Sequence, residues 1–164
     1  MSAPATISSA CPIARSLAVV GERWSLLIIR EAHRGRTRFA EFRSQLGVAP
    51  DVLTDRLTKL VDHGVLERRA YREAGERERS EYVLTRAGRD LLPVLAALAA
   101  WGDAHCPTGS GLDARVLVAA SGRPAELVFI DDGGQVVDVD GLRLRPTQAP
   151  STTEGGPGPM TVGR

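Results

Sequence analysis

Between Asp51 and Lys59, six side chains able to donate to or accept from nucleic acid share a short segment: Asp51, Thr54, Asp55, Arg56, Thr58 and Lys59. The other side of that segment carries Leu53, Leu57, Leu60 and Val61, which recur at the three- and four-residue spacing of a helix. Pro50 suits a first helical position and Gly64 a stop, so a helix over 49–63 is expected, leucines inward and polar side outward. The major groove of B-DNA admits one such helix, and its donor and acceptor pattern distinguishes every base pair. Arg56 and Thr54 suit base edges or adjacent phosphates, and Lys59 suits a phosphate. Asp55 can brace Arg56 or a neighbouring basic side chain.

A second basic group follows. Val65–Tyr71 and Ser80–Leu84 read as strands, separated by a charged turn that holds Arg72, Arg77 and Arg79. These arginines could track phosphates or enter the minor groove. The alternative is a solvated turn in which they pair with Glu73, Glu76 and Glu78. Arg38 and Arg43, on the preceding helix, are weaker phosphate candidates.

The remaining reactive residue types form no catalytic set. Cys11 precedes Pro12 at a helix start, where unpaired N–H groups favour a thiolate and Arg15 lies one turn on. An inert thiol is the competing reading. Cys106, His33, His63 and His105 share no metal-ligand spacing, and two cysteines make no disulfide framework. With no nucleophile–base pair, phosphate-cradling loop or paired carboxylates, neither an enzyme nor a cofactor is expected.

The elements that must position these residues follow from periodicity. Ile13, Leu17 and Val20 mark a first helix. Trp24–Ile29 marks a buried second one that Gly35 ends. Thr37 is a plausible N-cap for Arg38–Leu46, with Phe39, Phe42 and Leu46 inward, and Gly47 turns the chain into the helix over 49–63. Two short helices around a glycine turn, followed by a charged hairpin, read as a winged helix-turn-helix. Thr85 then caps a long helix to about Ala104, whose apolar side suits a partner helix and which Pro93 should kink.

Composition sets the outer limits. The 164 residues carry 21 basic and 20 acidic groups, which excludes a basic coat-type binder and an acidic tail for the whole chain. Residues 1–110 hold 16 basic and 13 acidic groups, and residues 111–164 hold 5 and 7. No apolar run approaches the roughly 20 residues of a bilayer span, so no membrane partner is expected. Met1–Ala10 lacks a signal peptide's regions, so a cytoplasmic protein is expected. The expected organisation is a flexible N-terminus (1–10), a helix-rich domain (11–106), a small β-rich extension (112–146) and a disordered tail (147–164). Within the extension, Asp131-Asp132-Gly133-Gly134 signals a hairpin.

Several motifs in this order carry a family resemblance: Cys11-Pro12-Ile13, Gly21-Glu22-Arg23-Trp24, Arg38-Phe39-Ala40-Glu41-Phe42, Val52-Leu53-Thr54-Asp55-Arg56-Leu57, Asp62-His63-Gly64-Val65-Leu66-Glu67-Arg68, Tyr82-Val83-Leu84-Thr85 and Leu91-Leu92-Pro93-Val94-Leu95. Over about residues 10–106 the chain resembles the HxlR-type winged helix-turn-helix regulators, relatives of the MarR group. The resemblance implies a homodimer on double-stranded operator DNA, read by the helix over 49–63 and the wing, with the first and last helices building the dimer. It further implies sensing of oxidants, electrophiles or small aromatic molecules, in some members through an N-terminal cysteine at the position of Cys11. If both dimer helices pack across the seam, Cys11 of one subunit could approach Cys106 of the other. Trp24, Phe39 and Trp101 could line a small-molecule pocket there, or serve as core and interface aromatics.

Two departures stand out. Ala49 replaces the usual Ser or Thr cap, a loss of about 1 kcal/mol. Asp51 favours the helix dipole but repels phosphate, so it either accepts from a cytosine amino group or sits off the DNA. The expected fold is therefore α+β: a winged helix-turn-helix domain with dimerisation helices at both ends, plus a small C-terminal β segment. The expected function is transcriptional regulation, as a repressor. The alternative is a winged-helix protein-interaction module without DNA binding.

Overall fold

Three prolines start three of the helices, because the first helical turn leaves its amide hydrogens unused and proline has none to lose. Pro12 opens α1 (Pro12–Val20), Pro50 opens α4 (Pro50–Asp62), and Pro93 lies in the first turn of α6 (Leu92–His105). Helices α2 (Arg23–His33) and α3 (Phe39–Leu46) precede α4; strands β1 (Leu66–Tyr71) and β2 (Arg79–Leu84) and the one-turn α5 (Arg86–Arg89) follow it. The structure is a computed structural model that describes residues 11–72, 78–106, 116–117 and 119–145. The predicted termini 1–10 and 147–164 lie outside the described residues.

The core is assembled from short apolar stripes on consecutive elements. Ile28 and Ile29 of α2, Phe42 of α3, and Leu53, Leu57 and Leu60 of α4 are fully buried, and Leu66 of β1 closes the cluster. Gly47 joins α3 to α4 at φ 62°, and Gly64 follows α4 at φ 67°. A side chain in that left-handed region costs roughly 1–2 kcal/mol, which explains glycine at both turns. Helix α3 starts one residue later than predicted, with Arg38 rather than Thr37 at its N-cap. The Glu41 carboxylate fixes that start by accepting from the Thr37 and Arg38 amides at 2.9 and 2.8 Å.

Strands β1 and β2 pair antiparallel from Leu66–Leu84 to Tyr71–Arg79, and the chain before α3 adds a third edge. There Arg38 bridges to Glu81, and Tyr82 donates its amide to the Thr37 carbonyl at 2.7 Å. The wing is thereby tied to the helix-turn-helix.

Pro93 does more than kink the last helix. The predicted element from Thr85 to Ala104 is two helices, α5 and α6, separated at Asp90–Leu91. Proline cannot donate to the carbonyl one turn back, so the helix stops and restarts there. Thr85 caps α5 as expected, accepting from the Gly88 amide at 3.2 Å, while its hydroxyl donates to the Gly64 carbonyl at 2.6 Å. At Gly88 a Cβ would lie 2.3 Å from the Val65 carbonyl oxygen, so this close approach of α5 to the residue just before β1 requires glycine.

Packing divides the chain into Met1–Leu127 and Val128–Arg164, a boundary inside the segment read from sequence as one extension. In the first unit, β3 (Val116–Leu117) pairs antiparallel with β4 (Pro124–Ala125). In the second, β5 (Phe129–Ile130) pairs with β6 (Val136–Val137) around the expected Asp131–Gly134 turn. The Asp131 carboxylate accepts from the Gln135 amide at 2.8 Å, and Gly134 takes φ 81°. Among the described residues, no helix is long and apolar enough to cross a membrane.

Candidate nucleic-acid interface

Helix α4 exposes Asp51, Thr54, Asp55, Thr58, Lys59 and Asp62 while its leucines are buried. The two threonines turn their hydroxyl hydrogens inward: Thr54 Oγ1 donates to the Pro50 carbonyl at 2.8 Å and Thr58 Oγ1 to the Thr54 carbonyl at 2.9 Å. Their oxygens are left as acceptors, the complement of a base amino group. Ala49 caps α4 without a side-chain hydrogen bond, as its methyl group requires.

Arg56 does not face outward as the sequence reading placed it. Its side chain is 15% exposed and lies against the start of α2, with Nη2 2.7 Å from Glu22 Oε2 and Nη1 3.0 Å from Asp55 Oδ2. The reason is angular. Position 56 neighbours the buried Leu53, Leu57 and Leu60 on the helix, so its long side chain runs along the α2–α4 seam instead of into solvent. Arg56 Nε and Nη1 are buried with no hydrogen-bond partner among the described residues, so its contact with Asp55 is an ion pair without a formed hydrogen bond. Asp55 does brace Arg56, and it also meets Lys59 Nζ at 3.1 Å. Glu22 was visible in sequence only as part of Gly21-Glu22-Arg23-Trp24; nothing in its spacing marked it as a partner of Arg56.

On the wing, Arg72 and Arg79 are exposed at its far end, whereas Arg77 lies outside the described residues. Arg38 stacks its guanidinium 4.7 Å over the Tyr71 ring, which presents a basic group beside α3. Arg43 is exposed on α3.

The proposed sensor residues lie apart in the chain. Cys11 is half-buried at the N-cap of α1 and Cys106 exposed at the C-cap of α6; both are free thiols. Trp24 and Phe39 pack against the core cluster. Trp101 is 60% exposed on α6, its ring 5.2 Å from that of His105. Among the described residues, no group of three or more His, Cys, Asp or Glu side chains is placed to hold a metal.

A second site went unnoticed in sequence. Glu31 is 1% exposed, yet its carboxylate meets three guanidiniums: Arg30 at 2.8 Å, Arg34 at 3.0 Å and Arg36 at 2.8 Å. A buried carboxylate requires such pairing, and three arginines within seven residues around a glutamate was the available signal.

Comparison with known proteins agrees with this geometry. The HxlR-like helix-turn-helix family model matches residues 19–110. The uncharacterized HTH-type transcriptional regulator Rv3095 of Mycobacterium tuberculosis is 43% identical over 99 residues, which are 60% of this chain and 61% of that protein. The chain thus spans about three-fifths of that relative's length. The crystal structure of PA1607, a proposed transcription factor, superimposes with a TM-score of 0.73 at 35% identity, over 85% of this chain and 97% of that one. Because residues 1–110 are only two-thirds of the chain, that similarity runs into the β-rich extension. The redox regulator HypR in its reduced form matches with a TM-score of 0.52 at 29% identity, over 57% of this chain and 92% of its own. With more than half of its residues matched in sequence and a winged helix-turn-helix in three dimensions, the chain belongs to the HxlR-like helix-turn-helix family of transcriptional regulators.

Proposed function

We propose that the protein is a homodimeric repressor that binds operator DNA through α4 and the wing. The observation that carries this reading is α4 itself: three fully buried leucines hold it while acceptors and a lysine stand on its outer side. Thr54 and Asp51 are assigned to base edges, and Lys59, Arg38, Arg72, Arg77 and Arg79 to phosphates. Arg56 becomes a positioning residue that fixes α4 against α2 through Glu22. One such module contacts few base pairs; twofold symmetry sets two of them roughly 34 Å apart, in successive major grooves. The dimer seam is assigned to Ile13 and Leu17 of α1 with Val94 and Trp101 of α6, all exposed in the single chain.

The test is titration of the promoter of its own or an adjacent gene against random DNA at several salt concentrations. Lys59→Ala should reduce the salt slope by about 1, and Thr54→Ala should cost about 1–3 kcal/mol on the operator alone. Arg56→Ala and Glu22→Gln should weaken binding by similar amounts that do not add, because they break one pair. A Glu22→Gln chain that binds DNA more tightly, with a steeper salt slope, would instead return Arg56 to direct contact. No binding to either DNA in dilute salt refutes the whole reading. It would favour the protein-interaction alternative, which has one observation behind it: α4 exposes three acidic groups and one basic group.

An oxidant response is assigned to Cys11 with Cys106 of the second subunit. Their two thiols would give a disulfide, two protons and two electrons, the electrons reducing a peroxide to water. Non-reducing electrophoresis after mild peroxide should show a covalent dimer that Cys11→Ser abolishes. A covalent dimer that persists in that variant rejects the pairing.

A further inference from the structure

We propose that the cleft between α2 and α6 binds a small amphiphile with an aliphatic body and one anionic head, a medium-chain carboxylate in its simplest form. The cleft is open to solvent and has a volume of about 850 Å³, within the range of roughly 300–1,000 Å³ usual for ligand pockets. Its apolar walls come from three elements: Leu27 of α2, Leu95 and Ala99 of α6, and Leu117 of β3. Every lining residue among those described is aliphatic or basic, so the walls suit an alkyl chain rather than a stacked ring.

The polar end selects the charge. Arg30 and Arg34 line the cleft, and both point to one oxygen of Glu31, whose other oxygen takes Arg36. Three guanidiniums face the one Glu31 carboxylate, and Arg36 also lies near the Glu41 carboxylate, so a surplus of about one positive charge remains beside the cleft. The C-terminal end of α2 offsets only about half a charge. His33, also at the rim, has Nε2 3.2 Å from the Gly88 carbonyl and adds no negative group. A carboxylate there would complete the arginine cluster while its chain covers the leucines.

Val94 and Trp101 of the proposed dimer seam do not line the cleft, whereas Leu98, one turn from each, does, so the two surfaces adjoin along α6. The β3 strand gives the extension a purpose: it supplies the third wall.

Isothermal titration of the full chain with decanoate, and with decanol as the uncharged control, tests this without DNA, so its outcome is independent of the operator reading. One decanoate should bind per chain in the dimer, at least about tenfold more tightly than decanol. Arg30→Gln should remove that preference, and Ala99→Phe, which fills the cleft, should abolish binding without lowering the melting temperature. Equal binding of acid and alcohol overturns the proposal, as does decanoate binding that survives both substitutions. Binding confined to a monomeric Trp101→Asp chain also overturns it, because the second copy would then be the cleft's occupant.

Discussion

Helices α4 and α6 are nearly equal in length, 13 and 14 residues, and opposite in how they are satisfied. Helix α4 buries Leu53, Leu57 and Leu60 completely and presents a polar outer side. Helix α6 has no fully buried residue, and exposes Leu92, Val94, Leu98 and Trp101. A helix whose apolar stripe is covered by its own chain is held rigid, as the proposed groove-reading role requires. A helix apolar on several sides offers surface to something outside the chain, and it is there that the proposed second copy and the proposed ligand would sit.

The sharpest way to break that contrast is to truncate one leucine of α4. Leu57→Ala should cost about 2–5 kcal/mol of unfolding free energy, because the cavity cannot collapse among fully buried neighbours. Equilibrium denaturation in urea measures it, and a cost below 1 kcal/mol would mean that α4 is loosely seated. On α6 the expectation reverses. Trp101→Asp should leave the monomer's unfolding almost unchanged yet abolish dimers in sedimentation at micromolar concentration, since a buried charge at a seam is not tolerated. Dimers that persist would move the seam off α6.

Smaller effects refine how α4 and its neighbour are held. Gly64→Ala should cost roughly 1–2 kcal/mol through left-handed strain alone, because open space surrounds the position. A thermal shift near zero would show that the turn adapts. The smallest effect concerns the start of α3. Two backbone amides hold the Glu41 carboxyl below its ordinary value near 4.5. Its contribution is therefore present above that value and lost as pH falls through the lower, folded one. Glu41→Gln should lower stability slightly at neutral pH and flatten this part of the acid-side decline, read as melting temperature against pH from about 6 to 3. Parallel curves for the two proteins would show that the carboxylate contributes nothing.

Much of this contrast is legible from local chemistry. The leucine stripe of α4, the glycines at 47 and 64, the threonine cap at 85 and the Asp131–Gly134 turn are decided by spacing and backbone sterics, which a linear string records. Arg56 was misplaced because helical periodicity gives an angle, while a long side chain chooses between solvent and a seam according to what stands across it. Glu22 stands across it, 34 positions earlier. Pro93 announced a disturbance, but periodicity alone did not show that it separates two helices instead of bending one.

By itself, the sequence determined the helices from α1 to α4 and the hairpin of β1 and β2, and that a charged wing follows a polar-faced helix, because those outcomes rest on contacts within a few residues. Tertiary structure alone decided which charges are partners, namely Arg56 with Glu22 and Glu31 with three arginines, and that α2, α6 and β3 line a cleft. Both are settled by distances between segments remote in the chain, where apolar burial brings elements together and each charge must then find the nearest counter-charge.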